Sequence, residues 1–73
     1  MTITFMIKND AEWYDKMFFV LSCMALLLKL KHYNITYQYE KKEEDGYIKY
    51  TFTFSEDADR GVIDALIKEC KLC

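Results

Sequence analysis

The sequence predicts a single α+β domain, residues 1–73, with the element order β-α-β-β-α: a three-stranded sheet with two helices packed on one face. Three observations carry that expectation. Segments 2–7, 35–40 and 47–54 alternate apolar and polar residues with the period of two of a half-buried strand. Residues 11–32 lack glycine and proline and are dense in Leu, Met, Phe and Ala, the composition of a long helix. Near the end of the chain Val62, Ile63, Leu66, Ile67 and Cys70 recur at helical spacing.

In the first strand Ile3, Phe5 and Ile7 share one face, and Thr2, Thr4 and Met6 the other. Asn9-Asp10 breaks the alternation and offers a helix N-cap, with Glu12 in the first turn complementing the dipole. The helix over 11–32 is near 33 Å long at ~1.5 Å per residue. Asn34 can end it in the left-handed conformation. In the second strand Ile35, Tyr37 and Tyr39 alternate with Thr36, Gln38 and Glu40; in the third Ile48, Tyr50, Phe52 and Phe54 alternate with Tyr47, Lys49, Thr51 and Thr53. The charge run Lys41 to Asp45 reads as a solvated turn. A loop over 43–46 pairs Glu40 with Lys49, Tyr39 with Tyr50, Tyr37 with Phe52 and Ile35 with Phe54. A two-residue Asp45-Gly46 turn sets Lys42 against Lys49 instead, so cross-strand charge favours the longer loop. Ser55 or Asp57 is expected to cap the last helix. A right-handed β-α-β crossover followed by a hairpin suits the strand order 1-3-2. This order resembles a ferredoxin-like fold lacking its last strand. The resemblance is one of element order and implies no function.

Size and composition exclude several classes. A chain of 73 residues and 8.8 kDa exposes roughly 4,800 Å² when folded as a compact monomer and roughly 12,800 Å² unfolded, marginal for one core. Apolar residues make up 52% and proline is absent, which excludes a disordered or collagen-like chain. Ten basic against twelve acidic side chains, net −2, argue against generic nucleic-acid binding. The longest apolar run, Met17 to Leu28, is short of the ~18 residues or more of a membrane span. The residues before it include Asp10, Glu12 and Asp15 where a secretion signal carries basic residues. Three cysteines are too few for a secreted disulfide framework and fit a reducing compartment. The expected location is therefore cytoplasmic, with no membrane partner. Nine lysines to one arginine, with frequent Ile, Phe, Tyr and Met, fit an AT-rich genome such as those of many bacteria and their phages; for a phage product the location is the host cytoplasm.

Residues that could carry chemistry are few. His32 is the only imidazole and sits where a helix C-terminus favours a cation. Gly46 and Gly61 are too far apart to form a phosphate-binding loop. Cys70-Lys71-Leu72-Cys73 places a C-x-x-C at a helix C-terminus, where the dipole opposes a thiolate, whereas redox thiols sit at N-termini. A zinc site from Cys23, Cys70, Cys73 and His32 has suitable ligand types but no second paired motif. The tyrosines of the strands share faces with Ile35, Ile48 and Phe52 and read as core rather than as a base-stacking platform. No cofactor, metal or catalytic residue is expected.

The first helix is the informative element. Trp13, Met17, Val20, Leu21, Met24 and Leu28 form one broad apolar face, wide enough to cover the sheet. Phe19, Cys23, Leu26 and Leu30 form a second apolar stripe on roughly the opposite side. The final helix could cover that stripe. Lying beside the first helix on the same sheet, however, it meets a flank rather than the back, so the stripe is expected at a partner or oligomer interface. The function expected from these features is that of a small non-enzymatic interaction protein. It occludes or inhibits a protein partner, as many phage-encoded inhibitors of host proteins do, and it pairs with itself as a homodimer. A small-ligand or sensor module with a pocket between subunits is the alternative.

Overall fold

In the computed structural model, which describes residues 1–72, the chain forms β1 (Thr2–Lys8), α1 (Trp13–His32), β2 (Tyr37–Glu44), β3 (Tyr47–Phe54) and α2 (Arg60–Glu69). The sheet has the order β1-β3-β2, antiparallel throughout, as the crossover and hairpin rules predict. β1 and β3 alternate as expected, with the threonines outward and Ile3, Phe5, Tyr50, Phe52 and Phe54 towards the helices; in β2 only Tyr37 is partly buried, and Tyr39, expected in the core, is half exposed. Phe52, Tyr50 and Phe54 are buried on central β3, flanked by partly buried Ile3 and Phe5 from β1 and Tyr37 from β2. Their rings form a continuous layer. Phe52 meets Phe5 edge-on at 5.8 Å between centroids and stacks on Tyr39 at 5.8 Å and Phe54 at 6.4 Å.

The hairpin register differs from the expected one. β2 runs on through Lys41–Glu44, and the two-residue turn Asp45-Gly46 sets Lys42 opposite Lys49 and Tyr39 opposite Phe52. Both turn residues have positive φ, 54° and 77°. Such a turn matches the twist of the flanking strands, and Asp-Gly accommodates it. The like-charged pair is relieved sideways, because Lys49 Nζ reaches Glu44 Oε1 at 3.1 Å and Lys42 Nζ reaches Glu40 at 3.7 Å. The register moves by two residues, so every side chain keeps its face.

The helix starts also shift. Lys8 accepts from the Ala11 amide in a turn that uses up Asn9 and Asp10, and α1 begins at Trp13 after Glu12, whose side chain makes no cap. At α2 the cap is Asp59, which accepts from the Gly61 and Val62 amides at 2.9 and 3.3 Å, while Ser55 donates to Asp57. Both helices end in the same C-cap. After α1, Asn34 (φ 57°) and Ile35 donate to the Lys31 and Leu30 carbonyls; after α2, Lys71 (φ 57°) and Leu72 donate to Lys68 and Ile67. Ile35 and Leu72 then pack against the core.

Two outcomes test this account of the core and caps. Phe52→Ala is expected to cost ~3–5 kcal/mol in chemical denaturation, enough to unfold a domain of this size, whereas exposed Thr53→Ala stays within ~0.5 kcal/mol. Lys71→Gly removes a β-carbon from a left-handed position and should raise stability by about 0.5–1 kcal/mol. A lower melting temperature for Lys71→Gly would show that Lys71 holds this end of the chain by other means.

Candidate interaction surface

The rotation of α1 about its axis reverses the expected one. Cys23, Leu26 and Leu30 are at most 1% exposed, and Phe19 is half-buried against Tyr50 with ring centroids 5.5 Å apart. The stripe expected at an interface is thus part of the chain's own core. The face expected on the sheet looks outward instead. Two physical reasons fix this phase. The C-cap bonds the Ile35 amide to the Leu30 carbonyl, and Ile35 packs against the core cluster that holds Leu30, the arrangement in which such a cap sets both positions inward. Counting back by helical turns from Leu30 reaches Leu26, Cys23 and Phe19. In addition, the inner face of the sheet is already filled by rings, so the helix presents compact Cys23 and leucines to it rather than Trp13, Met17 or Phe18. Asn34 was the sequence signal for this orientation, because a left-handed residue there pairs the residue after it with Leu30.

α2 covers the other half of the ring layer with Ile63, Leu66, Ile67 and Cys70. Beside it, Lys29 of α1 pairs with Glu69 at 3.1 Å, and this carboxylate holds the Lys29 ammonium above its usual range.

The outward face of α1 carries Trp13, Tyr14, Met17, Phe18, Val20, Leu21, Met24 and Leu28, all exposed, with Trp13, Phe18 and Leu28 near 70%. Trp13 and Tyr14 meet edge-on at 5.9 Å. No charged side chain interrupts this face between Met17 and Leu28. Exposed apolar faces of this kind, continuous along several helical turns, mark association sites on protein surfaces. The whole chain exposes 5357 Å², more than the roughly 4,800 Å² of a compact monomer of this mass. Charge marks the two ends of the patch. Asp10, Glu12 and Asp15 lie at the N-terminal end of α1, and Lys29, Lys31 and His32 at the C-terminal end. His32 is exposed, its ring edge-on to Tyr33 at 5.0 Å.

A groove of 660 Å³ runs between β1 and the N-terminal half of α1, lined by Phe5, Ile7, Phe18, Phe19 and Leu72, with Asp15 and Lys71 at its margins. No buried side-chain polar atom among the described residues lacks a hydrogen-bond partner. No three His, Cys, Asp or Glu side chains among them converge as metal ligands do, and no helix is long and apolar enough to cross a membrane. Cys23 and Cys70 are free thiols inside the core, and Cys73 lies outside the described residues. Burial, reinforced by nearby Cys70, pushes the Cys23 thiol up from 9.0 to about 11. Burial raises the Cys70 thiol as well.

Comparison with known proteins finds no matching family, no matching curated protein and no matching solved structure.

The Cys23 shift has a measurable consequence. The folded state holds this proton more tightly than the unfolded chain, so its contribution to stability is complete below pH 9 and is lost as pH rises towards about 11. In Cys23→Ala the alkaline decline between those values should be shallower than in the unmodified protein. Iodoacetamide at pH 8 should alkylate Cys23 at the rate of global opening. Rapid labelling of Cys23 under native conditions would show that the helix does not cover it.

Proposed function

We propose that this is a small non-enzymatic interaction protein that occludes a surface of a protein partner, with the outward face of α1 as its contact surface. One observation carries the proposal: half of a 20-residue helix is apolar, contiguous and in water, in a chain whose core is complete without it. Its composition suits contact. Trp13 and Tyr14 are of the type that dominates binding energy, and Met17 and Met24 adapt to irregular surfaces. The fitting partner surface is an apolar groove or helix face, basic where it meets Asp10, Glu12 and Asp15 and acidic where it meets Lys31. Covering such a surface against its native ligand is how so small a body inhibits a protein, including a host protein of a phage.

The test is affinity capture from a bacterial lysate followed by titration of the captured protein. Leu21→Glu with Met24→Glu changes two exposed side chains and should leave the melting temperature within a few degrees. Affinity for the captured partner should fall about thirtyfold or more. Equal affinity of the double variant would place the contact surface elsewhere.

A further inference from the structure

We infer that the outer edge of β1 is a strand-pairing site for a second copy of this chain, joining two three-stranded sheets into one of six strands. The inference goes beyond the role given to α1 and stands independently of it.

The ladder itself shows which backbone groups are free. Met1 and Phe54 exchange both hydrogen bonds, the Phe54 amide donating to the Met1 carbonyl at 2.8 Å and the Met1 amine to the Phe54 carbonyl at 3.4 Å. In an antiparallel ladder bonded and non-bonded pairs alternate. Ile3, Phe5 and Ile7 therefore bond to β3, and the Asn9 amide, donating to Gly46 at 2.8 Å, continues the series. Thr2, Thr4 and Met6 point their N–H and C=O groups the other way, out of the sheet. Among the described residues no strand lies on that side, and no turn, cap or side-chain hydrogen bond reaches these groups.

The two edges of the sheet are not alike. β2 ends its edge in Glu40-Lys41-Lys42-Glu43-Glu44, the kind of charged border that discourages strand addition. β1 has no charge and no proline from Thr2 to Ile7. It also borders the groove under α1, which an added strand would close.

The second copy is the occupant because β1 complements itself. A two-fold axis through Thr4 pairs Thr4 with the other copy's Thr4, and Thr2 with the other copy's Met6. This register bonds the outward N–H and C=O groups of Thr2, Thr4 and Met6 in both copies; a shift by one pair either leaves Met6 unbonded or sets Thr2 against Lys8, whose carbonyl already accepts from the Ala11 amide. The same register sets Ile3 across from the other copy's Phe5 on the helix side, an apolar pair at a close non-bonded position. The axis stands perpendicular to the sheet, so both copies carry α1 on the same side. Two outward α1 faces are thereby presented together, which raises avidity for a partner that is itself two-fold.

The experiment combines sedimentation equilibrium with amide exchange, from micromolar to millimolar protein. The unmodified chain should sediment at twice 8.8 kDa. Thr4→Pro removes one outward donor and no backbone bond to β3, losing beside it only the exposed hydroxyl contact with Thr51, and should sediment at 8.8 kDa with its circular dichroism unchanged. Leu21→Glu should remain dimeric. In the unmodified protein the Thr2, Thr4 and Met6 amides should exchange about tenfold or more slowly at high concentration than at low. The Ile3, Phe5 and Ile7 amides should be protected at both. This second readout decides the matter should Thr4→Pro fail to fold. An 8.8 kDa species throughout overturns the inference, as does a dimer in which the Thr4 and Met6 amides exchange freely. A dimer dissolved by Leu21→Glu and untouched by Thr4→Pro would place the contact on α1 and overturn it too.

Discussion

The ring layer on the inner face of β3 is the constraint on which the rest of this structure depends. β3 is the only strand with a neighbour on each side, and Tyr50, Phe52 and Phe54 occupy consecutive inward positions along it. Phe52 touches a ring from each neighbouring strand, Phe5 on one side and Tyr39 on the other. Each helix seals part of that layer, α1 through Cys23, Leu26 and Leu30 and α2 through Ile63, Leu66 and Ile67. The helices also meet each other, through the neighbouring buried thiols of Cys23 and Cys70 and an exposed ion pair from Lys29 to Glu69. Burial against one aromatic layer draws both helices into the same core.

Two layers can cover only two inner faces. α1 is apolar nearly all round, and a helix of that kind is ordinarily buried all round. Here the sheet takes one side, α2 meets a flank, and nothing among the described residues reaches the remaining side. The surplus apolar surface thus follows from stoichiometry: five elements supply more apolar faces than a two-layer sandwich consumes. The sheet shows the same imbalance at its rim. One edge is bordered by charge and the other is bare, next to a groove with apolar walls. Proteins commonly blunt such features, and here β2 is bordered by charge where β1 is not.

The thiols of Cys23 and Cys70 lie in the core. Cys23 and Cys70 fill positions facing the rings, and burial holds their protons on. A small side chain at position 23 lets α1 approach the sheet closely, where a larger residue would push it away. No ligands converge and no buried side-chain polar atom is unpaired among the described residues, whereas the outward face of α1 is apolar and exposed and the outer edge of β1 is unpaired.

Most of the fold was legible in the residues themselves. Element order, strand faces and the outward threonines follow from periods of two and near 3.6, which are properties of local backbone geometry and need no distant partner. Strand order followed from the handedness of the crossover. The hairpin register was also encoded locally, in Asp45-Gly46, but cross-strand charge pointed to the other solution; a turn that fixes two backbone conformations outweighs one exposed ion pair. The rotation of α1 was a different matter. Its two stripes are both apolar and both continuous, so hydrophobicity alone ranks the broader one, Trp13 to Leu28, for the core. One guide to the choice was local, the cap at Asn34 that binds Ile35 to Leu30. The other is absent from any local window: the bulk of rings on β3, twenty or more residues away. That α1 has one apolar face too many is written in its residues. Which face meets the sheet was settled in the packed domain, because steric fit to the ring layer separates two stripes that transfer free energy does not.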